Sequence, residues 1–428
     1  MKLENFEKKT EQGITLIALV VTIVVLLILA GITVSLLFSE KGIIATAREA
    51  AEKTNQAVIN DQEQINSVTD YIENILNELD NKENIPSKPE LPQKWDGESN
   101  ENVTAVKSAD SISMTIPIPK GYSASKVTGE NTVENGFVIY EGEEEVNDVN
   151  KDTAKTTRNQ FVWVPVENME EMYGIDSNGK IWGKLYSFSE SGITPLNWTE
   201  NVGIMRITDQ INNREPDVVT EVDTDEALPS YDVGIITQTE LKKQLEIEFY
   251  HMLESVAKYG GFYIGRYETG NLSKTKALVV KNNTDISGQT WYKQYQLNKT
   301  LAANHNVTST MLWGCQWDMT LKWMYNSGNV EKRTYTYDST NKGNYKGTNG
   351  NRAIATGSND DYAVNNIYDM AGNVRDWTIE AYGAKYRVYR GGYCDKSGSG
   401  TPVSNRANDI ASDNDGVNGS RATLYINL

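Results

Sequence analysis

The chain has 428 residues, with 41 Lys+Arg against 58 Asp+Glu and a formal net charge of −17. Such a surface repels phosphate backbones, and no basic run offsets it, so nucleic acid is disfavoured as a partner. The only two cysteines, Cys315 and Cys394, rule out a disulfide scaffold, and the only two histidines, His251 and His305, have no metal-ligand spacing.

In chain order, the first element is the uncharged apolar run ITLIALVVTIVVLLILAGITVSLLF at residues 14–38. At ~1.5 Å per residue it reaches roughly 37 Å as a helix, enough to cross a ~30 Å hydrocarbon layer. Lys8 and Lys9 precede the run and Glu40 follows it, so the positive-inside bias puts the N-terminus in the cytoplasm and the bulk of the chain outside. The predicted location is the cell membrane or cell surface, with a single pass.

Residues 39–81 are rich in Ala, Glu, Gln and Lys and contain no proline. Ile65, Val68, Ile72, Ile75 and Leu79 step by three and four, a heptad seam that predicts a helical stalk. Pro86, Pro89 and Pro92 then end the helix and mark residues 82–100 as an extended linker.

From residue 101 to 428, short apolar segments alternate with Asn, Gly, Asp, Ser and Thr clusters. Strands are expected over 113–118, 136–140, 160–166, 261–267, 386–390 and 422–426. One helix should begin at the capping-box match Thr237–Glu240, bury Leu241, Leu245, Phe249, Met252 and Val256, and stop at Gly260. A second should carry Trp313, Trp317, Leu321 and Met324 and close near residues 326–328. Few long helices among many short strands predict an α+β class.

Two resemblances sharpen this reading. Basic leader residues, then Gln12-Gly13 and Ile14-Thr15 at the start of the apolar run, resemble a type IV prepilin signal. The resemblance implies a leader over 1–13, cleavage between Gly13 and Ile14 by a prepilin peptidase, and pilin-like subunits as partners. Ala18 stands where major pilins carry the Glu that pairs with a neighbour's N-terminal amine. A plain single-span anchor is the alternative.

Residues 155–428 carry in order FVWVPV, GGFYIGRYETG, WGCQWDMTLKWM, NNIYDMAGNVRDWT, YRVYRGG and GSRATLYI. The set resembles the formylglycine-generating-enzyme (sulfatase-modifying factor) family, which implies a C-type-lectin-like fold. Family members oxidise a substrate cysteine with a copper-binding pair of thiolates shortly after Arg-Gly-Gly. Here Cys394 alone follows Arg390-Gly391-Gly392, so it is the one catalytic candidate, and a lone thiolate does not supply a two-coordinate soft-metal site. The family's turn also implies structural calcium held by the side chains of Asp369 and Asp376 and the carbonyls of Gly372 and Val374, with Asp376 where the family has Glu.

The closing stretch supplies the candidate ligand-binding residues Tyr393, Asp395, Asn405, Arg406, Asn408, Asp413, Asn414 and Asn418, read as irregular polar loops on a rigid core. Tyr386 or Tyr389 add stacking surface. The expected function is adhesion: a surface-anchored, non-catalytic, lectin-like head that binds an extracellular protein or glycan. The alternatives are an exported oxidoreductase of the same fold and a structural minor pilin.

Overall fold

The computed structural model describes residues 91–428, except 176–180, 197, 200–205, 208–237, 271–276, 285–286, 303–305 and 383–385. The predicted leader, apolar span and stalk, with Gly13 and Ile14, lie outside the described residues, as does the linker before residue 91. Among the described residues no helix is long and apolar enough to cross a membrane.

The head is mixed α+β. Strands β1 (Val103–Lys107) and β2 (Thr115–Pro119) form an antiparallel hairpin. A six-stranded antiparallel sheet follows, built from β3 (Tyr122–Ala124), β4 (Phe137–Glu141), β5 (Gln160–Pro165), β6 (Gly261–Gly265), β7 (Val307–Met311) and β12 (Ala422–Ile426). Its order is β7–β12–β6–β5–β4–β3. A four-stranded sheet holds β8 (Arg375–Tyr382), β9 (Tyr386–Arg390), β10 (Arg406–Ile410) and β11 (Asn418–Ser420) in the order β10–β9–β8–β11, with β8 and β11 parallel. The helices used below are α1 (Lys151–Thr157), α2 (Gln238–Tyr259), α3 (Trp291–Lys299), α4 (Gly314–Asn326) and α5 (Val330–Tyr335).

The central strands are apolar at nearly every position because both faces of the large sheet are buried. Side chains alternate across a strand, so Phe161 and Trp163 enter one hydrophobic cluster while Val162 and Val164 enter the other. Phe137 and Tyr263 join the first of these clusters, and Tyr140 and Phe262 the second. Helix α2 covers the second face with Leu245, Phe249 and Met252. It ends at Gly260, in the left-handed region at φ +79°. Gly261 then starts β6 directly, where a Cβ would meet the Val164 carbonyl at 2.4 Å and the Trp163 ring at 2.5 Å.

Both helices expected from 3.6-residue periodicity are present, and the four aromatic and aliphatic side chains of the second stripe are buried. The predicted capping box at Thr237 and Glu240 falls on side chains outside the described set. Trp95 already packs on the head: its backbone N–H donates to the Lys258 carbonyl at 2.8 Å, and its ring lies 5.9 Å from that of Tyr259.

One feature of the closing stretch differs from expectation. Residues 406–410 and 418–420 are strands, within a segment read as loop throughout. β10 has no apolar alternation to betray it. Its ladder to β9 pairs Arg406 with Arg390, Asn408 with Val388 and Ile410 with Tyr386.

Candidate functional site

The sequence motifs meet in a buried polar frame. Arg421 stands between β11 and β12, where the chain passes from the small sheet to the large one. Its fully buried guanidinium donates to the Gly265 carbonyl at 3.0 Å, the Tyr368 carbonyl at 2.8 Å and Asp376 Oδ2 at 3.1 Å. Glu268 Oε2 accepts from Asn373 Nδ2 at 2.6 Å, and its Oε1 from the Val374 N–H at 3.3 Å. Asp369 Oδ2 accepts from the Gly357 N–H at 2.7 Å and Thr356 Oγ1 at 3.0 Å. The turn between these groups needs the left-handed region repeatedly: Asn365, Asn366, Asp369, Gly372 and Asn373 all have φ between 51° and 77°. Asn, Asp and Gly tolerate it best, which accounts for the composition of the motif.

This geometry bears on calcium. Oδ2 of Asp369 and Oδ2 of Asp376 each accepts from a protein donor, and a cation taken up by Asp376 would lie near the Arg421 guanidinium. Gly372 is clamped to Asn344, where a Cβ would meet the backbone at 2.5 Å, and the Val374 N–H is held by Glu268. Among the described residues no group of three or more His, Cys, Asp or Glu is placed to hold a metal ion. The implied set for Ca2+, the side chains of Asp369 and Asp376 with the carbonyls of Gly372 and Val374, stands as a proposal of the resemblance.

A second buried cluster ties the small sheet to α4. Asp318 from α4, Glu380 from β8, Arg390 from β9 and Arg406 from β10 form two acid–base pairs that share partners. Arg406 Nη2 lies 2.6 Å from Asp318 Oδ2, and Arg406 Nε 3.0 Å from Glu380 Oε1. Arg390 contacts Asp318 through Nη2 and lies 3.5 Å from Glu380 Oε2. The Tyr186 N–H adds a bond to Asp318 at 2.8 Å. Arg406, expected as a ligand residue on a loop, is thus largely engaged inside.

The candidate ligand residues separate into distinct settings. Tyr393 is half-buried, and the Arg375 guanidinium lies 4.7 Å from its ring centroid. The same guanidinium lies 4.0 Å from the Tyr389 ring and pairs with Asp415 at 2.9 Å. Burial pushes the Tyr389 hydroxyl above its usual pKa, with the adjacent cation opposing. Asp395 and Asn414 are exposed, while Asn408 and Asp413 are half-buried. Asn405 is spent on its own turn, its amide donating to the Gly391 carbonyl at 3.0 Å. Asn418 is buried at the start of β11, with its carbonyl accepting from Gln294 Nε2 at 2.7 Å. Cys394 is 4% exposed and Cys315 is 0% exposed; neither forms a disulfide.

The residues that sequence reasoning missed are Arg375, itself only 8% exposed, and the fully buried Asp318 and Glu380. Tyr393 is the partly exposed end of an aromatic–guanidinium stack whose Arg375 and Tyr389 are buried, beside a polar edge strand along which Tyr386 is 37% and Ile410 40% exposed. It offers stacking faces and hydrogen-bonding groups on a rigid base.

No protein-family model matches the chain, and no curated protein matches it. Among solved structures it is similar to CarF, at 12% identity and a TM-score of 0.30 over 39% of this chain and 86% of that one. It is similar to PvdO from Pseudomonas aeruginosa at 14% identity and a TM-score of 0.29, over 39% and 82% of the two chains. It is also similar to Treponema denticola variable protein 1, at 12% identity and a TM-score of 0.22 over 76% and 93%.

Proposed function

We propose that this chain is a surface-anchored adhesion protein whose lectin-like head, of the formylglycine-generating-enzyme kind, binds an extracellular protein or glycan. The ordered motifs of residues 155–428 support the family of the head, and the prepilin-like segment supports its display. The binding reading rests on one observation: Arg375 is fixed between Tyr389 and Tyr393 and tied to Asp415 beside an exposed polar edge. Ordering these rings before a ligand arrives lowers the entropy lost on binding. Two buried thiols on separate elements give no comparable support to an oxidase.

The test is whole-cell binding to arrayed glycans and matrix proteins, with the full chain displayed and its head removable by external protease. Tyr393→Ala should weaken binding about two- to tenfold, the range for one aromatic contact. Arg375→Ala should weaken it further by releasing both rings. Variants that bind as tightly as the parent chain, or a head that resists external protease on intact cells, would defeat the proposal.

A further inference from the structure

A pocket of about 410 Å3 opens in a different part of the head. It lies between the 111–114 turn of the β1–β2 hairpin, the chain leaving β5, and the last turns of α4. Its apolar lining includes Met114, Val133, Met319 and Trp323. Three carboxylates, Glu134, Glu167 and Glu171, also line it. Lys322 neutralises Glu171 at 3.0 Å and rests 4.1 Å from the Tyr186 ring centroid. Lys332 donates to the Glu134 carbonyl at 2.6 Å and feels that residue's charge. Glu167 is exposed and has no cationic partner among the described residues. Ser327, just past the last residue of α4, also lines the pocket, so the negative end of a 13-residue helix adds to the field there.

Two exposed aliphatic side chains flank the elements that line this acidic, apolar pocket. Ile112 at its edge is 61% exposed. Val330, on the helix whose Lys332 reaches Glu134, is 76% exposed. From this combination we infer that the pocket docks a polypeptide segment of a partner protein that presents a lysine or arginine between aliphatic residues. The cationic head meets Glu167 and the end of α4, its alkyl stem lies along Trp323 and Met319, and the flanking aliphatics cover Ile112 and Val330. This site is independent of the surface around Tyr393, and neither proposal depends on the other.

The experiment follows methionine methyl resonances of the full chain, with Met114 and Met319 assigned by Met→Leu substitution. The probes are acetyl-Ile-Lys-Ile-amide, its Glu counterpart, and n-butylammonium. The Lys peptide should shift both resonances saturably, the Glu peptide should not, and n-butylammonium should bind at least about tenfold more weakly because it leaves the aliphatic lip uncovered. Glu167→Gln should weaken the Lys peptide about three- to fivefold, as for one exposed ion pair, without changing the melting temperature. Equal binding of n-butylammonium would assign the pocket to small organic cations and overturn polypeptide docking. Equal response to the Glu peptide would reduce the site to an unselective apolar groove and overturn it too. So would silence of both methyls up to about 10 mM Lys peptide, where the binding energy falls below about 3 kcal/mol.

Discussion

Arg406 was expected to face a ligand, and the structure commits it to Asp318 and Glu380, so its removal separates the two roles. In Arg406→Ala, the charges of the buried cluster go from two against two to two carboxylates against Arg390 alone. Asp318 and Glu380 are both fully buried, and Arg390 already lies 3.5 Å from Glu380, too far to compensate fully. Breaking a buried pair by deleting one partner costs about 3–5 kcal/mol, because a charge is left without its counterion. For domains of about 150–250 residues, 1 kcal/mol moves the melting temperature by about 2–4 °C, so the variant should melt roughly 6–20 °C lower. Urea unfolding at unchanged m-value provides the free energy. The double variant Arg406→Met/Glu380→Gln restores neutrality and should lose less than the sum of the two single changes, a coupling expected of residues in direct contact. A loss below about 1 kcal/mol in Arg406→Ala, accompanied by lost ligand binding, would refute the structural assignment and return Arg406 to the binding surface.

Two further outcomes follow from the buried groups. Burial alone would raise the Glu130 carboxyl, but Arg266 at 2.8 Å and Lys155 at 2.9 Å outweigh it and hold the pKa down to about 2, against an ordinary value of about 4.5. A folded value below the unfolded one means that this stabilisation is present above about pH 4.5 and is lost as pH falls toward 2. The gap of about 2.5 units corresponds to about 3 kcal/mol, so urea stability should decline through that window and Glu130→Gln should flatten the decline; an unchanged pH profile in the variant would contradict it. For the implied calcium, excess chelator should lower the melting temperature, and Asp376→Ala should abolish that difference. An unchanged melting temperature in excess chelator would remove the ion from the turn.

What could be read from the chain was what local physics dictates. Phe161–Val164 are apolar in every position, and both faces of their strand are buried. Leu241, Leu245, Phe249, Met252 and Val256 share one helical face, and that face meets the sheet. What escaped were pairings set by the tertiary fold. Arg406 lies 88 residues from Asp318 in sequence, and Asp376 lies 45 from Arg421. Their composition is compatible with loop ligands or with buried pairs, and only the fold decides between them. β10 escaped for a related reason: an edge strand with half-exposed polar residues satisfies one side of its backbone on β9, and no hydrophobic period is needed to hold it.

The same contrast explains how a binding surface can sit on this head without weakening it. Along the closing stretch, Asp395 and Asn414 are exposed, and Asn408 and Asp413 are only half-buried. Changes at such positions cost stability only within about 0.5 kcal/mol, unless they touch a special backbone site or a buried group. The neighbouring Arg390, Arg406 and Arg421 are each bound to carboxylates inside the head, at several kcal/mol apiece if deleted. Tolerant and intolerant positions therefore mix within the closing part of the chain, because these arginines turn inward while Asp395 and Asn414 face solvent. Stability is carried by the inward set, and this leaves the outward set able to accept whatever side chains a ligand demands.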